Sequence, residues 1–103
     1  MAQRAYSEDA IAQMYRELES ISWRYTSMLQ AFGERQYKTK RAHEYATQGF
    51  LRRLDTMQRC LDHIFALLPP ELEGIPSHDQ LKDTAIQVQS FLFNVFGCLD
   101  NLA

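Results

Sequence analysis

The chain lacks most of the features that mark catalysis, cofactor binding or a membrane. Only two of its 103 residues are cysteine, Cys60 and Cys98, and neither has a CxxC companion. Neither a disulfide nor a metal site is therefore expected, and both read as small reduced core residues. The three prolines all fall within residues 69–76, and the four glycines (Gly33, Gly49, Gly74, Gly97) stand alone, so there is no glycine-rich loop to cradle a phosphate. No acidic residue has a histidine three positions later, and His43, His63 and His78 are scattered, which removes the inward-facing Glu-x-x-His pairs of a di-metal bundle. No apolar run approaches the ~20 residues that a bilayer span requires. The first residues, MAQRAYSEDAIAQ, lack the apolar block of a secretory signal. The expectation is a cytoplasmic protein with no cofactor, no metal, no membrane and no small-molecule substrate.

What remains is material for helix packing. Hydrophobic residues make up 46% of the chain and aromatic ones 12%, enough for one core, while the 23% of charged residues is ordinary for a folded domain. A chain of this length is one domain, residues 1–103, and buries roughly two-thirds of the surface its unfolded form exposes. The net charge of −2 conceals an asymmetry: the segment from Glu34 to Arg59 carries +4 and the rest −6.

Apolar spacing predicts three helices. Over residues 7–32, Ile11, Met14, Leu18, Ile21, Tyr25, Met28 and Phe32 recur at threes and fours behind an N-cap serine, Ser7, with Glu8 and Asp9 in the first turn and Gly33 as the exit. Residues 34–68 read as a second helix. Its first half carries small residues on the stripe (Ala42, Ala46, Gly49) and its second half large ones (Phe50, Leu54, Met57, Leu61, Ile64, Leu68), with a bend expected near Gly49. Pro69 and Pro70 stop it. Ser77 and Gln80 form a Ser-x-x-Gln capping box that opens a third helix over residues 78–103. No stretch alternates with period two, so no strand is expected. The fold class is all-α: an antiparallel up-down-up bundle of three long helices.

The third helix is too apolar for two neighbours to cover. Leu81, Ala85, Val88, Leu92, Val95, Leu99 and Leu102 form a ladder, and Ile86, Phe91, Phe93, Phe96 and Cys98 widen it around much of the circumference. No capping residue, glycine or proline closes this helix. Either a second copy or a missing C-terminal helix is expected to complete the bundle, and Phe93, Phe96, Leu99 and Leu102 are the candidate interface. A homo-oligomer is the partner this predicts.

Two weaker constellations carry chemistry. Arg59 and His63 lie four apart on one helix face, beside Asp62, and an imidazole with a guanidinium nearby is a general acid or base with a charge stabiliser for phosphodiester cleavage. Lys38, Arg41, Arg52, Arg53 and Arg59, interleaved with Tyr37, Tyr45 and Phe50, offer phosphate contacts to RNA, though they match no known reader motif. Asp100 and Asn101 interrupt the apolar terminal turns as a helix end or a hydrogen-bonded pair.

The stretch EYATQGFLRRLDTMQRCLDHIFALLPPE, then LKDTAIQVQSFLFNVFGCLDNLA, resembles a group of uncharacterised bacterial all-helical proteins. They share an arginine-rich helix, a diproline stop and a phenylalanine-rich helix with an Asp-Asn-Leu-Ala segment. That group is similar to HEPN-like helical domains. The resemblance spans residues 44–71 and 81–103 and implies a four- or five-helix bundle that often dimerises. It also implies an RNA-cleaving or defence role, with active members carrying an arginine, four to six residues, then a histidine. This sequence departs from that pattern: Arg59 and His63 have three residues between them, and Lys38 stands at the right distance from His43 but is not arginine. The expected function is therefore a non-catalytic interaction and dimerisation module, HEPN-like and associated with RNA or defence. The competing readings are a metal-independent ribonuclease and a structural scaffold or antitoxin-like protein binder.

Overall fold

The computed structural model describes the backbone of residues 4–34 and 38–102 and, of these, the side chains of all but 33, 34, 45–47, 101 and 102. The fold is all-α. Helix α1 spans Glu8–Glu34; α2 (Lys40–Glu44) runs through a π-helical turn, Tyr45–Leu51, into α3 (Arg52–Leu67); and α4 spans His78–Leu102. Among the described residues the only bridge between extended segments is an isolated antiparallel pair, Arg4 with Glu73, whose side chains also form an ion pair at 3.7 Å.

The ends follow from local chemistry. The Ser7 hydroxyl accepts the Ala10 N–H at 3.2 Å, and the Ser7 carbonyl accepts the Ile11 N–H, closing the first turn of α1. The predicted exit at Gly33 is not used: α1 continues through it to Glu34, and the one glycine with positive φ is Gly74 (φ 79°), in the loop before α4. Part of the predicted start of the second helix, at residues 34–38, lies outside the described residues. The helix described there begins at Lys40, where the Thr39 hydroxyl accepts the Ala42 N–H at 3.0 Å. The capping box before α4 is formed in both directions. Gln80 N–H donates to the Ser77 hydroxyl at 3.1 Å, and the Ser77 N–H donates to Gln80 Oε1 at 2.8 Å. The Gln80 amide nitrogen then donates to the carbonyl of Leu67 at 3.1 Å, so one side chain both starts α4 and ties off the last turn of α3.

At Gly49, where a bend is expected, residues Tyr45–Leu51 are π-helical. An i→i+5 turn accommodates one residue more than an α-turn and so rotates the helix beyond it. Here it brings Phe50 and Leu51, adjacent in sequence, both into the core.

Helix α3 is the middle element, antiparallel to both neighbours. Tyr25 meets Asp55, Ser22 meets Gln58 and Tyr15 meets Phe65 along the α1 seam, while Met57 meets Cys98 along the α4 seam. No described residue of α1 comes within 8 Å of one of α4, Cα to Cα. The three helices therefore lie open, side by side. The molecule measures 61 × 26 × 17 Å, its shortest axis under two helix diameters. Its radius of gyration, 16.9 Å, exceeds the about 13 Å of a compact chain this long.

The core is correspondingly small. Phe50, Leu51 and Cys98 form its centre, with Leu29, Phe32, Leu54 and Met57 packed around them, and Phe32 and Phe50 stack in a tilted pair at 5.1 Å. Cys60 is buried separately, and both cysteines are free thiols.

Candidate interaction surface

Helix α4 packs on α3 through the side next to its apolar ladder rather than through the ladder. Its seam with α3 is made by Thr84, Phe91, Gly97 and Cys98, with Gln80, Gln87 and Asn94 half-buried beside them. Polar groups on that seam satisfy themselves locally: the Thr84 hydroxyl donates to the Gln80 carbonyl at 2.7 Å, and the Asn94 amide donates to the Ser90 carbonyl at 2.8 Å. Most of the ladder faces outward, with Val95 half-buried at its edge. Leu81, Val88 and Leu92 are exposed, as is Ala85, and Leu99 is 58% exposed. Of the predicted interface residues, Phe93 is 75% and Phe96 66% exposed, and the side chain of Leu102 lies outside the described residues.

Helix α1 does not reach α4, so one side of α4 is left uncovered, and the residue at the crossing with α3 bears on which side that is. Gly97 has no side chain, so the Arg53 guanidinium lies directly against its backbone; a Cβ built there would overlap Arg53 Cζ and Nη1. A stripe of leucines could not admit α3 that closely. The small residues Thr84, Gly97 and Cys98 can, and the leucines are turned away. The result is a row of large apolar side chains in water along about 27 Å of one helix, from Leu81 to Leu99. Contiguous exposed apolar surface on this scale is rare on a protein that stays alone.

The basic residues do not form one face. Arg52 and Arg59, two turns apart on α3, are both exposed, and Asp55 and Asp62 are exposed on the same helix. Arg53 is turned into the α4 seam, where its Nε is buried without a hydrogen-bond partner. Lys38 and Arg41 are exposed at the start of α2. Asp55 is already engaged: its carboxylate accepts the Tyr25 hydroxyl at 2.8 Å, and desolvation, helped by that bond, pushes the Tyr25 phenol up to about 12.

Arg59 and His63 are both exposed on α3. His63 lines a shallow groove of about 360 Å³ between α3 and α4 with Ala66, Leu67, Asp83, Ile86 and Gln87, and Arg59 is not among its walls. The groove thus holds an imidazole and a carboxylate without the guanidinium that would stabilise charge on a phosphodiester. Cys98 is no substitute nucleophile, because burial raises its thiol pKa, only partly opposed by the Arg53 charge. No group of three or more metal-ligating side chains occurs among the described residues. Nor is any described helix long and apolar enough to cross a membrane.

Sequence spacing did not disclose the tyrosine clamps. The Tyr15 hydroxyl donates to both oxygens of the Glu71 carboxylate at 2.8 and 2.5 Å, joining α1 to the loop after α3. That hydrogen bond raises the Tyr15 pKa and lowers that of Glu71. The one available signal was that Tyr15 falls off the apolar stripe. A second groove, about 380 Å³ and mainly apolar, lies between α1 and α3, walled by Met14, Leu18, Ile21, Leu61 and Phe65 among others. The chain matches no protein-family model, no curated protein sequence and no solved structure closely enough to place it in a family.

Proposed function

We propose that the chain is a non-catalytic helical module that dimerises through the outer face of α4, a HEPN-like domain of the bacterial cytoplasm that serves in an RNA or defence context. One observation carries the self-association: Leu81, Ala85, Val88, Leu92 and Leu99 of the α4 ladder lie exposed along one line of the helix, with Phe93 and Phe96 exposed beside them. Covering it removes apolar surface at roughly 25 cal/mol per Å², a gain that no described element of the chain collects. The HEPN-like reading rests on the sequence resemblance and is supported by the antiparallel helical architecture. The non-catalytic reading is supported by the three residues, rather than four to six, between Arg59 and His63, and Arg59 does not line the groove that His63 lines.

Sedimentation equilibrium tests the association directly. The wild-type chain is expected to dimerise, and Leu92→Glu or Phe96→Glu to yield monomers of unchanged helicity by circular dichroism. A wild-type chain that remains monomeric at high concentration removes the proposal.

A further inference from the structure

The outer face of α4 is self-complementary in one orientation, and from this we infer that two copies pair antiparallel through α4 about a two-fold axis near Ser90 and Phe91. The inference rests on the self-association proposed above and adds its geometry.

Two rows along the helix make the face self-complementary. Leu81 and Leu99 are eighteen residues apart, about five full turns, and so occupy the same angular position at opposite ends of the helix. Lys82 and Asp100 have the same separation and form the adjacent row, on the flank that also carries Phe93 and Phe96. All six side chains are exposed. Inverting the helix about its middle exchanges Leu81 with Leu99 and Val88 with Leu92, so the apolar row lies on itself without a gap. The Lys82 and Asp100 row is centred one residue further along, so the same two-fold leaves Lys82 about 3 Å along the axis from Asp100 of the partner subunit, within reach of the long lysine side chain, giving two equivalent ion pairs at the rim. A two-fold contact must be of this isologous kind. Parallel pairing instead puts the Lys82 and Asp100 rows of the two copies on opposite sides of the seam, so that neither ion pair forms, and aligns the two helix dipoles unfavourably. A partner of unrelated sequence would have no reason to match a row that is palindromic in both size and charge.

Charge reversal with sedimentation equilibrium at low salt tests the register. Lys82→Glu and Asp100→Lys should each raise the dimer dissociation constant on the order of tenfold, since each dimer loses two attractive pairs and gains two repulsive ones. The double variant should return it to the wild-type value. Both single changes put the favoured charge at their helix end, so monomer stability should not fall, and this separates a lost interface from a lost fold. Dimers lost in Leu92→Glu but indifferent to single reversals overturn the antiparallel register and leave the self-association standing. A double variant that stays weak overturns the register too. A monomeric wild type, or a dimer that survives Leu92→Glu, overturns both.

Discussion

Gly97 and Arg53 form a close contact between α3 and α4. The guanidinium occupies the space a side chain at 97 would need, and its Nε is left buried without an acceptor. Such a group costs about 1–3 kcal/mol when nothing pairs with it. The two residues should therefore be energetically coupled. Gly97→Ala is expected to destabilise the wild-type chain by about 1 kcal/mol in urea titration, because Arg53 must move. In an Arg53→Ala background the same change should stabilise by up to about 1 kcal/mol, the ordinary helix preference of alanine over glycine. Equal effects in the two backgrounds would show that the contact does not matter. The Tyr25–Asp55 bond gives a second prediction, on pH. A phenol held near 12 contributes stability that is complete below its ordinary value of about 10 and is lost as pH rises through about 12. Tyr25→Phe should cost about 1 kcal/mol at neutral pH, and its deficit against wild type should shrink between pH 10 and 12. A constant deficit across that window would mean that the bond does not favour the neutral phenol.

At the scale of elements, the hinge between α3 and α4 turns on Gln80. Its side chain accepts the Ser77 N–H and donates to the Leu67 carbonyl, while its own N–H is capped by Ser77. Ser77→Ala removes a single cap, worth about 1 kcal/mol. Gln80→Ala removes both side-chain bonds and should cost more, with hydrogen exchange accelerating at the end of α3 as well as at the start of α4. Exchange changes confined to α4 would show that the Leu67 bond is idle. This cap was legible in the sequence because it is a local pattern with a fixed spacing, and the ends of α1 at Ser7 and of α3 at the diproline were legible for the same reason. The length of α1 beyond Gly33 was not, since glycine permits an exit without compelling one. The π-turn was anticipated only as a bend near Gly49. What selects it is the demand that Phe50 and Leu51 both reach a core built by three helices, and no local pattern encodes that demand.

For the whole molecule, an open layer with α3 at its centre leaves the outer face of α4 and the groove between α1 and α3 uncovered. Folding and association should therefore be linked, with the unfolding midpoint rising as protein concentration rises. A midpoint independent of concentration would argue that the layer is stable alone. The arrangement also bears on RNA. Arg53 is committed to the α4 seam and Arg59 does not line the His63 groove, so the purified chain is expected not to cleave RNA. Cleavage that disappears in His63→Ala would establish the ribonuclease reading instead. The exposed cations Lys38, Arg41, Arg52 and Arg59 leave room for salt-sensitive RNA binding, which a shift assay at low and moderate salt would detect.

The sequence by itself determined the helices, their order, their caps and their antiparallel course, because periodicity, capping and short connections act over a few residues. It also marked the last helix as the most apolar around its circumference, but the expectation that two neighbours would pack on it did not hold, since α1 does not reach α4. Which side of that helix would be left over was decided only in the tertiary structure. A hydrophobic ladder states that a face seeks burial, but the seam with α3 went to Thr84, Phe91, Gly97 and Cys98, with Arg53 lying against Gly97, and α1, which could have covered the ladder, does not reach α4. Close approach outweighed hydrophobic pattern at that seam, and the leucines were left facing outward for another surface to meet.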